Sequence, residues 1–144
     1  MRHVKFIVRQ MAITVLATTA GLPVTLTALG VMVFARWRIV PFRVIVVNLA
    51  QSAVWYWFML LAPAASGVAL PVTPAWGGVT GALLAVAASV PCVAAMTGSS
   101  VAGVMSAFAS RRVDSAIIIL AAASGGSVAG AVGALLRSRK RRRE

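Results

Sequence analysis

Three stretches of this chain carry no charged side chain: residues 10–35, 44–110 and 115–136, which are 26, 67 and 22 residues long. An α-helix rises about 1.5 Å per residue, so about 20 apolar residues cross the roughly 30 Å hydrocarbon layer of a bilayer. Each stretch is long enough for at least one crossing. Irregular backbone exposed to lipid leaves N–H and C=O groups unsatisfied, so helices are the form open to such segments. With 60% hydrophobic residues, 11% charged residues and a mean hydropathy of +0.94, the chain reads as an all-α integral membrane protein rather than a water-soluble domain.

The first stretch predicts one helix over residues 11–35, closed by Arg36, Trp37 and Arg38, with Pro23 as the place for a kink. Arg2, Lys5 and Arg9 before it resemble the basic start of a signal peptide, and Ala17 to Ala20 offers small residues for cleavage. The apolar run continues to Ala35, however, so an uncleaved anchor is expected. A re-entrant hairpin turning at Gly21-Leu22-Pro23 would have arms too short to satisfy their own backbone in lipid.

The second stretch is too long for one crossing, and Pro63, Ser66, Gly67, Pro71, Pro74, Gly77 and Gly78 crowd its middle. It reads as a helical hairpin with arms over 43–62 and 78–109. Because the second arm exceeds what a crossing needs, it is expected to tilt, to kink near Pro91, or to end in an interfacial segment over 97–110. The third stretch predicts a helix over 115–136, with Asp114 or Ser115 placed to cap it and cations after its last turn. Residues 1–136 thus form the membrane domain, a four-transmembrane-helix bundle, and residues 137–144 a basic tail too charged to order itself.

Fourteen Lys and Arg stand against two acidic residues, Asp114 and Glu144, for a net charge of +12. The cations lie at the ends of apolar runs, where lipid headgroups would be, and no soluble segment remains to shape a nucleic-acid groove. A bilayer with anionic headgroups is therefore the expected partner, and nucleic acid is not. Cytoplasmic flanks carry the excess of Lys and Arg. Four crossings put nine basic residues with the two termini and five, Arg36, Arg38, Arg43, Arg111 and Arg112, on the other side. Both termini are expected in the cytoplasm of a cell membrane, with Arg137, Arg139, Lys140, Arg141, Arg142 and Arg143 as lipid and topology anchor. If the first and last segments only dipped into the membrane, every basic cluster would be cytoplasmic, at the cost of two buried irregular loops.

Small residues recur at four-residue spacing in the second half: Gly77, Gly81, Ala85 and Ser89; Ala95, Ser99, Gly103 and Ala107; Ala122, Gly126, Gly130 and Ala134. Such stripes let helix backbones approach closely, which matters where packing replaces the hydrophobic effect. They predict contact faces, within the chain first and between copies second. Two polar stripes also appear, Asn48, Gln51, Ser52 and Trp55 on the second helix, and Thr14, Thr18, Gly21 and Thr25 on the first. Each reads as interhelical hydrogen bonding or as the lining of a water-filled path. Trp37 and Trp76 are expected at the headgroup boundary, and Trp55 and Trp57 within the bundle.

Chemistry is poorly provided for. A metal site needs several His, Cys, Asp or Glu side chains, and the sequence offers His3, Cys92, Asp114 and Glu144, far apart. The same scarcity argues against an intramembrane carboxylate pair, a Ser-His dyad and a proton relay. Thr97-Gly98-Ser99-Ser100 and Ser124-Gly125-Gly126-Ser127 lack the lysine and strand of a phosphate loop and read as close helix contacts. No cofactor is expected. The function these features favour is that of a non-enzymatic small multi-pass membrane protein, either self-associating as a homo-oligomer or an accessory subunit with a membrane-protein partner. The alternatives are a membrane-permeabilising pore former of the phage holin type, or a narrow channel for an uncharged solute. Twelve Arg against two Lys in an Ala-, Val- and Gly-rich background fits a GC-rich bacterial or phage genome.

Overall fold

The structure is a computed structural model that describes residues 1–70 and 73–143. Pro71, in the expected break, and Glu144, at the end of the tail, lie outside the described residues. Five helices follow in order: α1 (Arg2–Arg36), α2 (Phe42–Ala69), α3 (Pro74–Thr97), α4 (Val101–Ser110) and α5 (Arg112–Arg141). No strand occurs among the described residues. Helices α1, α2, α3 and α5 are long and apolar enough to cross a membrane, and α4 is too short.

The four long helices alternate in direction. Helix α5 packs against α1, α2 and α3, and α2 against α1 and α3, whereas α1 and α3 do not meet. Helices α2 and α5 therefore form the inner pair of the bundle. The first turns of α1 and the last turns of α2 and α5 share one recess through Phe6, Val68 and Arg137, so both chain ends lie at one end of the bundle. An ion pair between Arg36 Nε and Asp114 Oδ1, at 4.0 Å, marks the opposite end. Both side chains are partly exposed, so the pair contributes at most about 1 kcal/mol.

Small residues fill the interior and large apolar ones cover the outside, the distribution suited to a bundle surrounded by lipid. The interior is made of small residues, among them Ala17, Ala64, Ala85, Ala122 and Ala129, with Thr18, Thr25 and Ser89. Leu16, Val31, Val54, Phe58, Leu83 and Leu120 point outward and are more than half exposed. In water this surface would be one large apolar patch. In lipid, apolar exposure is neutral and close approach of backbones decides packing.

Helix ends differ from the sequence reading in several places. Helix α1 begins at Arg2 rather than at residue 11: Arg2, Lys5 and Arg9 end a charge-free run but do not end a helix, because charged side chains on an exposed first turn keep their solvation while the backbone bonds continue. Helix α2 runs through Pro63 to Ala69 instead of stopping near residue 62. Beyond the proline, Ala64, Gly67 and Val68 are buried, and this packing offsets the backbone bond that proline removes. Helix α3 starts at Pro74 rather than at 78, with the Thr73 hydroxyl accepting from the Trp76 N–H at 3.5 Å; proline suits the first helical position, where its missing N–H has no partner to lose. The arm expected over 78–109 is two helices. Gly98 closes α3 at φ +67°, a left-handed conformation that suits glycine, and Ser100 opens α4 by accepting from the Gly103 N–H at 3.1 Å.

At the far end, the tail expected to lack order is helical as far as Arg141. A helix already formed extends at little cost, and cations complement its carboxyl-terminal dipole. Neither Asp114 nor Ser115 caps α5. Asp114 lies in its first turn, and the Ser115 hydroxyl reaches the carbonyls of Arg111 and Phe108, tying α4 to α5. Helices α1 and α5 are continuous through 35 and 30 residues, so neither segment turns back as a membrane-dipping hairpin.

Candidate functional site

The most extensive contact in the bundle is between α3 and α5. A methyl group added to Gly77 would stand 2.8 Å from the Gly130 carbonyl oxygen and 2.9 Å from Ala134 Cβ. One added to Gly81 would collide with the Gly126 carbonyl, and one on Gly126 with Ala85 and the Gly81 carbonyl. In each case the glycine hydrogen that replaces Cβ points at a carbonyl of the other helix, the geometry of a weak Cα–H···O contact. Gly77, Gly81, Ala85, Ala122, Gly126, Gly130 and Ala134 are all buried. Both ladders are thus consumed inside one copy of the chain. Gly103 differs: it is exposed on α4, and only Ser100 Oγ lies near its missing Cβ. The turn at Gly98 breaks the stripe that runs through Ala95, Ser99, Gly103 and Ala107 in the sequence.

A second ladder on α5, one residue out of step with the first, was not singled out in the sequence. Ala121, Gly125, Ala129 and Gly133 are buried. Gly125 meets Thr25 and Gly21 of α1, Ala129 meets Gly21, and Gly133 meets Ala64 and Val68 of α2. The signal was available, since the spacing is the same. It explains why α5 can touch three helices at once.

The two polar stripes part company. On α1, Thr18, Gly21 and Thr25 face the core. The hydroxyls of Thr14, Thr18 and Thr25 donate to their own helix, at the carbonyls of Gln10, Thr14 and Gly21, so they do not bridge helices. Ser89 likewise donates to Val86 at 2.6 Å. Among the described residues no buried side-chain nitrogen or oxygen lacks a hydrogen-bond partner. The cavity between Thr25, Tyr56 and Ser89 is about 10 Å³, room for about one water. On α2, in contrast, Asn48 and Gln51 are exposed on the outer surface, with Ser52 half-buried beside them. Asn48 donates to the Val44 carbonyl at 2.9 Å, which leaves its own oxygen open. Gln51 stands eight residues, about 12 Å, beyond Arg43, a depth that would face hydrocarbon if α2 crosses a bilayer with Arg43 at its surface. The stripe does not line the interior of the bundle.

Trp37 and Trp76 are exposed near opposite ends, but Trp55, expected inside, lies on the surface of α2, and Trp57 is half-buried. Cys92 is partly buried, with its thiol 3.6 Å from the Trp55 carbonyl. At the end that holds both termini, Arg9, Arg137, Lys140 and Arg141 line one recess of about 390 Å³, and Lys140 Nζ lies 5.7 Å from the Phe6 ring centre. Arg139, Arg142 and Arg143 are exposed beside it in sequence. Among the described residues no three of His, Cys, Asp and Glu come together.

The class defined by these observations is an all-helical bundle with four helices long and apolar enough to span a membrane. No family model matches the chain, and neither a curated protein nor a solved structure matches it.

Proposed function

We propose that this protein is a non-enzymatic, multi-pass subunit of the cell membrane that associates through the outer face of α2, with a second copy of itself or with one helix of a partner membrane protein. The observation that carries this reading is the exposed amide pair of Asn48 and Gln51 on a helix otherwise surrounded by Val44, Val47, Val54 and Trp55. An amide facing hydrocarbon has no water to bond, and a neighbouring helix with a polar group satisfies it. The small-residue ladders are already occupied within the chain, whereas this face carries two amides whose hydrogen-bonding capacity the chain leaves partly unused. In this reading both termini are cytoplasmic, with nine basic residues at that end against five at the other.

The test is association in lipid vesicles, read as the fraction of double-labelled particles. Replacing Asn48 and Gln51 together by Leu removes two interhelical hydrogen bonds of about 0.6 kcal/mol each, and association is expected to weaken roughly eight-fold. Association unchanged by the double substitution would remove the α2 face from the argument.

The same face offers a second reading, in which several copies turn Asn48 and Gln51 toward a shared aqueous path. Inducible expression with a potential-sensitive dye separates the two. A subunit leaves the membrane potential intact while cells grow. An abrupt, complete depolarisation at a reproducible delay would replace it with a holin-type pore, and graded, solute-specific flux with a channel assembled between copies.

A further inference from the structure

The basic recess at the terminal end of the bundle does not stand alone. It continues into an apolar groove of about 680 Å³ between α1 and α2, and the two share Phe6, Gln10, Val68 and Ala69. On α1 the groove extends from Phe6 to Val15, nine residues or about 14 Å, close to half of the roughly 30 Å hydrocarbon thickness. Its floor reaches Trp57 and Ala65 on α2. A charged recess therefore opens onto an apolar channel one leaflet deep.

We infer that recess and groove together hold one anionic glycerophospholipid, with its phosphate among Arg9, Arg137 and Arg141 and an acyl chain lying between α1 and α2 as far as Trp57. Three guanidinium groups drawn from two helices can each offer paired N–H donors to phosphate oxygens. The one described carboxylate, Asp114, lies at the opposite end beside Arg36, so among the described residues no carboxylate stands beside Arg9, Arg137 and Arg141, and an external anion can neutralise them. A zwitterionic headgroup would bring a second cation against the arginines. A free phosphate would leave the apolar groove uncovered. A phospholipid with net negative charge satisfies both halves of the site.

The full chain purified in detergent would be titrated with phosphatidylglycerol, with phosphatidylcholine, and with glycerophosphoglycerol, the same headgroup without acyl chains. Bound lipid would be counted by native mass spectrometry. Phosphatidylglycerol is expected to bind preferentially, and Arg9→Gln with Arg137→Gln to weaken it about thirty-fold, from two lost cations near the phosphate. Ala65→Phe keeps every charge, and so the insertion bias, but fills the groove. It is expected to weaken phosphatidylglycerol by at least ten-fold without changing the response to glycerophosphoglycerol. Equal binding of phosphatidylcholine would overturn the inference. So would binding of the chain-free headgroup as tight as that of the lipid, an unaltered affinity in Ala65→Phe, or an equal loss from Arg38→Gln with Arg43→Gln at the other end.

Discussion

Gly130→Ala is expected to cost the bundle about 3 kcal/mol or more, while Gly103→Ala changes its stability by less than about 1 kcal/mol. Gly130 lies where three helices converge: its missing Cβ would collide with the Gly77 carbonyl on α3, and its own carbonyl blocks any Cβ on Gly67 of α2. These are backbone atoms, which cannot move aside as a side-chain tip can. To admit one methyl group, α3 would have to shift away from α5 along its length. Gly103 sits on an exposed turn of α4, where alanine gains helix propensity and meets only a serine hydroxyl. Unfolding in mixed micelles, followed by the distance between labels on α3 and α5, measures both. Similar losses at the two positions would mean that the α3–α5 contact is not what holds the chain together. Leucine at Gly126 and Gly130 should fail more completely, and as a failure of the single chain to fold, before any question of association arises.

Replacing Arg137, Arg139, Lys140, Arg141, Arg142 and Arg143 by Gln is expected to invert or scramble insertion. The terminal end would keep Arg2, Lys5 and Arg9, three basic residues, against five at the other end. The sign of the bias that orients the chain would then reverse. Accessibility of single cysteines placed at residue 3 and at residue 39, probed with an impermeant thiol reagent in a Cys92→Ala background, reports each orientation. A single, unchanged topology in the six-fold variant would show that the tail does not orient the protein. The same helical extension to Arg141 that carries these charges projects them from the last turns of α5, near Arg9, so their loss also removes part of the recess.

The number of long helices was legible because charge marks off three segments, with Arg36 and Arg43 bracketing one turn and Arg111 and Arg112 another, and the Pro- and Gly-rich run from Pro63 to Gly78 divides the longest of them. Finer boundaries depended on local chemistry that the hydropathy pattern conceals. Gly98 and Ser100 are a stop and a start separated by one residue, yet a small-residue stripe can be read straight across them. Pro63 looks like an end, and only the burial of Gly67 against Gly130 makes it an interior position. The orientation of the polar stripe on α2 was the least legible feature. Spacing places Asn48, Gln51 and Ser52 on one face, but in a helix apolar on every side nothing in the sequence distinguishes the face toward neighbours from the face toward lipid. For a soluble helix the polar face would have answered that question by itself.

The central place of α5 also sets an order of events. It is the fourth membrane-length helix in the chain, and like α2 it contacts the other three. Until it has been synthesised and inserted, α1 and α3 are joined only through α2, and the glycine faces of Gly21, Gly67, Gly77 and Gly81 have nothing to close on. In a bilayer, helices α1 to α3 are then expected to stay open as a sheet of three until α5 arrives to close the bundle. A ribosome stalled before Asp114 would leave behind an open three-helix intermediate with four unfilled notches, the kind of surface that membrane quality control can recognise.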